Sequence, residues 1–209
     1  MAAALSLVMN TPLRFRVLGD SLAAGVGCMR VEQSIGHLLA DTVRATGQAV
    51  TLSVHAVPGA RSADLAPQVR NAVRAGVDLA LIVIGANDLT RLTPPAVGAR
   101  LLHDAVAELT RAGARTVAVT APDLGVLAHV PPAFREVVSR ASMLYAQAQA
   151  DAVTTAGGTV AHVGPEVATR FATDDRLFSA DRFHPSAAGY AVIAESLTPY
   201  VLAAAKRTA

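Results

Sequence analysis

Apolar and polar positions along the chain follow two periods that take turns. From Arg14 to Leu18 they alternate as on a strand, and the run breaks at Gly19. Ser34 to Thr46 repeats at helical spacing, with Ile35, Leu38, Leu39 and Val43 on one face and Gly47 placed to close it. Ala49 to Val57 predicts a second strand, ended by Pro58-Gly59, and Ser62 to Arg74 a helix that is irregular before Pro67. Asp78 to Ile84 is nearly all apolar, which suits a strand buried on both faces of a parallel sheet. Pro94-Pro95 opens a helix to about Arg111 that Gly113 ends. Thr116 to Thr120 predicts a strand, Ala121 to Pro132 a loop, Ala133 to Thr155 a long helix and Thr159 to Val163 a short strand. A polar loop over Thr173 to Pro185 leads into a last helix over Ser186 to Lys206. Strand and helix thus alternate five times, the pattern of an α/β fold: a three-layer α/β/α sandwich on a mostly parallel five-stranded sheet. With no internal repeat, linker or break in composition, residues 1–209 are expected to form a single domain, with 1–12 as a flexible N-terminal segment.

Composition narrows the classes. Hydrophobic residues make up 52% and charged residues 16%, a globular balance. The formal net charge is only +2 and the arginines are scattered, so no nucleic-acid partner is expected. Cys28 is the single cysteine, which rules out a disulfide within the chain and suits a small buried hydrophobe. The apolar run Met1 to Met9 is too short to span a membrane, and Arg14 and Arg16 follow too late for a secretory signal. No integral membrane association and a cytoplasmic location are the expectation. His37, His55, His103, His129 and His162 have no metal-ligand spacing, and Gly25 and Gly27 lack a full dinucleotide-loop pattern. Neither a metal nor a cofactor is expected.

The candidate chemistry sits where strands end. Ser21, Gly59 and Asn87 all follow predicted strands, and the carboxyl ends of parallel strands share one edge of the sheet, where such folds bind ligands. Asp181 and His184, three residues apart, precede the last helix. In a tight turn that step sets the carboxylate against one ring nitrogen and leaves the other for a serine hydroxyl, which needs a base to become a nucleophile. The Ser21 and Gly59 N–H groups and the Asn87 side chain are donors of the kind that stabilise a tetrahedral oxyanion. Each residue alone is also ordinary cap or turn chemistry.

Taken in order, Gly19-Asp20-Ser21-Leu22, Gly59, Gly85-Ala86-Asn87-Asp88 and Asp181-Arg182-Phe183-His184 resemble the blocks of the SGNH (GDSL) hydrolases. The stretch His184-Pro185-Ser186-Ala187-Ala188-Gly189-Tyr190 is similar to that family's ending, so the resemblance runs from residue 17 to about 190. It implies a flavodoxin-like sandwich, Ser21 as nucleophile, His184 as base, Asp181 as its orienter, and an oxyanion hole of Ser21, Gly59 and Asn87. Val57 stands where the family often has asparagine, which touches a supporting hydrogen bond and leaves the Gly59 donor intact. The α/β-hydrolase alternative is set aside, because its Gly-x-Ser-x-Gly elbow is lacking: Ala23 stands two residues after Ser21.

The expectation is a serine hydrolase of GDSL esterase/lipase type that cleaves small-molecule acyl esters. Acyl transfer to an alcohol or sugar through the same residues is the alternative, and a non-catalytic ligand-binding module a third. Leu124 to Phe134 and Phe171 to Phe183 are the candidate walls of an acyl pocket. Acyl length and oligomeric state are not readable from the chain.

Overall fold

Strand β1, Leu13–Gly19, lies inside the sheet and delivers the chain to Asp20 and Ser21. In the computed structural model, which describes residues 11–127 and 130–206, its neighbours are β2, Val50–Val54, and β3, Leu79–Val83. Strands β4, Arg115–Val119, and β5, Thr159–Ala161, complete the order β2-β1-β3-β4-β5, with every pairing parallel. The α/β sandwich read from the sequence is therefore the observed fold, with a sheet that is parallel throughout. Most of the segment expected to be flexible, residues 1–10, lies outside the described residues, as does His129.

Alternation along the strands divides the core into two layers. Phe15, Val17, Leu81 and Val117 face one side, where α2, Ile35–Arg44, and α8, Ala187–Ala205, cover them with Leu39, Val43, Ile193 and Leu197. Leu18, Ala80, Ile82 and Ala118 face the other, under α3, Leu65–Arg74, α5, Pro95–Arg111, and α6, Arg135–Thr155. Of the described helices, α8 is long and apolar enough to cross a membrane by length and composition alone. Here its apolarity is used in the core, where Tyr190, Ile193, Leu197 and Val201 are buried.

The element ends differ from expectation in instructive ways. The irregularity before Pro67 is a 3-10 turn, Ser62–Asp64, which leaves the proline in the first turn of α3, where its missing N–H costs nothing. β2 stops at Val54, yet the His55 and Val57 N–H groups go on donating to the Val17 and Gly19 carbonyls, at 2.7 and 3.0 Å. That one-sided pairing carries the chain to Gly59. Two helices had not been read from the pattern: α4, Ala86–Thr90, and α7, Pro165–Thr173. Asn87 consequently lies in the first turn of a short helix and not in a loop.

Candidate active site

The site begins where β1 ends. Gly19 has φ +130°, and a Cβ there would stand 1.8 Å from the Val83 carbonyl oxygen, so only glycine fits beside β3. Asp20 then caps the four-residue helix α1, Ser21–Ala24, its Oδ1 accepting from the Leu22 N–H at 3.0 Å. Ser21 opens that turn, so its own N–H has no intrahelical acceptor. Asp20 is only 3% exposed, and burial pushes it up to about 6 against the pull of the Leu22 hydrogen bond.

The predicted serine, histidine and aspartate come together although Ser21 and His184 are 163 positions apart. His184 Nε2 lies 2.9 Å from Ser21 Oγ, and His184 Nδ1 lies 2.6 Å from Asp181 Oδ2. The other carboxylate oxygen, Oδ1, accepts from Ser179 Oγ at 2.8 Å and from the Phe183 and His184 backbone N–H groups at 2.9 Å. These contacts, led by His184, hold Asp181 far below the ordinary carboxylate range. The three-residue step thus closes into a turn in which one carboxylate fixes both the backbone and the ring of His184. Gly27, with φ +98°, lets the loop after α1 pass against this turn: a Cβ there would lie 2.3 Å from the Pro185 carbonyl oxygen. The Tyr190 hydroxyl ties the same loop down by donating to the Val26 carbonyl at 2.8 Å.

Gly59 and Asn87 follow β2 and β3, the two neighbours of β1, and so flank Ser21. The Gly59 N–H has no partner among the described residues. Asn87 Nδ2 gives one proton to the Ala60 carbonyl at 3.0 Å, which holds the amide and leaves its second proton. A second link joins the same two loops, because buried Asp88 accepts through Oδ2 from both the Ser62 N–H and Ser62 Oγ, at 2.9 and 3.1 Å.

Two glutamines brace the strand ends and had not been singled out from the sequence. Gln68 on α3 accepts from the Gly19 N–H at 2.7 Å and donates to the Gly19 carbonyl at 3.0 Å. Gln149 on α6 accepts from the Ala121 N–H at 2.7 Å and donates to the Ile84 carbonyl at 3.2 Å. Both are at most 3% exposed. The signal was there to read, since each is a long polar side chain on the buried stripe of its helix: Leu65, Gln68, Val69, Ala72, and Ser142, Tyr145, Gln149, Val153.

On the β4–β5 side of Ser21 a cavity of about 320 Å³ opens. Ser21 and His184 stand at it, and its walls are mainly apolar: Val83, Ile84, Val119, Leu124, Leu127, Val167, Phe171, Phe178 and Phe183 among them. Both segments expected to form an acyl pocket contribute. Phe134, at the far end of the first, is 60% exposed and not part of the wall. Among the described residues no cluster of side chains is suited to hold a metal ion.

A parallel α/β/α sandwich with a serine, a histidine and an aspartate hydrogen-bonded in line at the strand ends defines the serine-hydrolase class of site. The chain belongs to the GDSL-like lipase/acylhydrolase family, whose model matches residues 17–192. It is 40% identical over 185 residues to the GDSL-like esterase Rv1075c of Mycobacterium tuberculosis, a match that covers 87% of this chain and 59% of that protein. The fold is shared with TesA, at TM-score 0.73 and 19% identity over 89% of this chain and 96% of that one. It is shared also with the psychrotrophic esterase EstA of Pseudoalteromonas sp., a structure inhibited by monoethylphosphonate, at TM-score 0.70 and 20% identity over 89% and 94%.

Proposed function

We propose that the chain hydrolyses carboxylic esters through an acyl-enzyme on Ser21. The observation that carries this reading is the unbroken line Ser21–His184–Asp181 at the mouth of an apolar cavity. Ser21 Oγ attacks the ester carbonyl carbon while its proton passes to His184 Nε2. The carbonyl π electrons move to oxygen, where the Ser21 and Gly59 N–H groups and the second Asn87 amide proton receive them. Collapse breaks the bond to the alcohol oxygen, which takes the proton from His184. Water then repeats the sequence, with His184 as base, and releases the acid. Asp181 keeps the imidazole in the right tautomer and offsets the charge it acquires.

The cavity favours an apolar acyl group longer than acetyl. The open mouth supports water as acceptor: Asp181 is 47% and His184 19% exposed at the side chain, whereas acyl transfer to an alcohol needs water kept out. The names of two similar proteins, a GDSL-like esterase and a phosphonate-inhibited esterase, agree with this reading. The test is hydrolysis of p-nitrophenyl esters from acetyl upward by wild type and Ser21→Ala. The variant is expected to lose about 10⁴-fold or more in kcat, and a fluorophosphonate should label Ser21 in the wild type alone. Wild-type turnover in Ser21→Ala would overturn the assignment.

A further inference from the structure

Beside the apolar cavity runs a second, larger groove of about 620 Å³, which shares Val126, Phe171 and Phe178 with it. Phe171 and Phe178 pack edge to face with centroids 5.1 Å apart, so this aromatic pair forms the partition between the two spaces. The groove differs in chemistry from the cavity, because Arg135 and Arg182 line it against a single acid, Asp175. Neither arginine forms an ion pair among the described residues. Arg135 spends only its Nε–H, on the Val130 carbonyl at 3.2 Å.

Arg182 is the more telling of the two. It sits between Asp181 and His184 at φ +53°, a left-handed conformation that disfavours any residue with a Cβ. The turn itself uses only backbone there: the Arg182 N–H donates to the Ser179 carbonyl at 2.9 Å, and Asp181 Oδ1 does the rest. Glycine would make the same turn without strain. Among the described residues the guanidinium has no hydrogen bond, so the strain is accepted for a side chain that serves nothing inside the fold.

We propose that Arg182 and Arg135 bind an anionic group of the substrate, a carboxylate or phosphate, joined to the scissile ester by an apolar segment that lies against Phe171 and Phe178. This rests on the ester-hydrolase reading and specifies its substrate class. A guanidinium presents a planar fork that fits both anions, and two of them in one groove outweigh Asp175. The shared partition makes the acyl side the direct route from Ser21, although an anion on the alcohol could reach Arg182 from the mouth.

The experiment compares ester pairs that differ only in a terminal charge. One arm sets the p-nitrophenyl monoester of octanedioic acid against p-nitrophenyl octanoate. The other sets the octanoyl ester of 4-hydroxybenzoate against that of its methyl ester. For wild type, Arg182→Gly and Arg135→Gln, the quantity read is the ratio of kcat/KM, anionic over neutral, at low and high salt. Relative to wild type, each variant should lower the ratio about tenfold in one arm, and 0.5 M NaCl should lower the wild-type ratio likewise. The arm that responds tells whether the anion belongs to acid or alcohol. Equal ratios in wild type and both variants in both arms overturn the proposal. Failure of every neutral ester to be cleaved would instead overturn the hydrolase reading.

Discussion

The two sides of Ser21 are built differently. Toward β2 and β3 the loops are cross-linked by side-chain hydrogen bonds, buried for Gln68 to Gly19 and Asp88 to Ser62 and half-buried for Asn87 to Ala60. Toward β4 and β5 lie aliphatic and aromatic side chains around open volume, braced at the root by Gln149, once more by Ser142 Oγ, which accepts from the Leu124 N–H at 3.2 Å, and otherwise held by packing. On the proposed mechanism the difference follows from what each side must hold. An oxyanion donor acts only at hydrogen-bond distance from one developing charge, so a small displacement removes its effect. An acyl chain is held by area, which tolerates misfit at modest cost. The denser polar bracing therefore goes where tenths of an ångström matter.

The largest break in this comparison is expected from Asn87→Ala. It removes one donor of the proposed oxyanion hole and also the strut to Ala60, so kcat should fall about 10²–10³-fold with KM little changed and the acyl-chain preference intact. Steady-state kinetics on two ester lengths checks this. A change confined to KM would remove Asn87 from the oxyanion hole.

Asp20 stands on the seam, because it caps the polar turn and also lines the apolar cavity. Its folded-state value of about 6 lies above the ordinary 3.8. Below about pH 3 the group is protonated in folded and unfolded chains alike. As pH rises from about 4 to 6 the unfolded chain gives up a proton that the folded chain keeps, so stability falls with pH and levels off above 6. Integrated from pH 4 to pH 7, the loss is roughly 2 kcal/mol. Asp20→Asn keeps a capping oxygen and abolishes the titration. The gap in unfolding free energy between variant and wild type should therefore widen in the variant's favour by that amount between pH 4 and pH 7, as read from urea curves. A gap that stays constant across the window would show that Asp20 titrates in the fold as it does in the unfolded chain.

Asp88→Asn comes next. The variant weakens the link between the Ser62 and Asn87 loops, and a loss of about 1–2 kcal/mol in stability is expected from the disturbed buried acceptor. Turnover should drop about tenfold at unchanged chain-length preference, since the damage stays on the polar side. A shifted chain-length optimum in this variant would mean that the two sides are not independent.

How much of this was legible follows the range of the interactions. Asp181 and His184 meet within one turn, and a three-residue step nearly determines their geometry, so the sequence sufficed. Ser21 was legible as a strand-end residue because β1 is short, alternating and cut off by Gly19. Helix α4 was not, since a five-residue helix lies below what periodicity can register and owes its existence to packing. Helix α7 was missed despite a usable signal, Gly164-Pro165 ahead of the apolar residues Val167 and Phe171. The glutamine braces needed one more step, to ask what a polar residue does on an apolar stripe.

The apolar side offers the smallest effect and the sharpest contrast. Leu124 and Leu127 are buried toward the cavity, while Val126 stands 36% exposed where cavity and groove meet. Truncating a side chain inside the cavity leaves every polar brace in place, so Leu124→Ala should spare the rate of the ester that fits least. The variant adds room for about two carbons, which should move the optimum to longer acyl chains and change kcat/KM between neighbouring chain lengths by about three- to tenfold. The change should sit mainly in KM, because area bound equally in ground and transition states does not alter kcat. A uniform drop in kcat across all chain lengths would instead place Leu124 among the groups that position the reacting atoms, and the polar and apolar sides of Ser21 would no longer divide the labour.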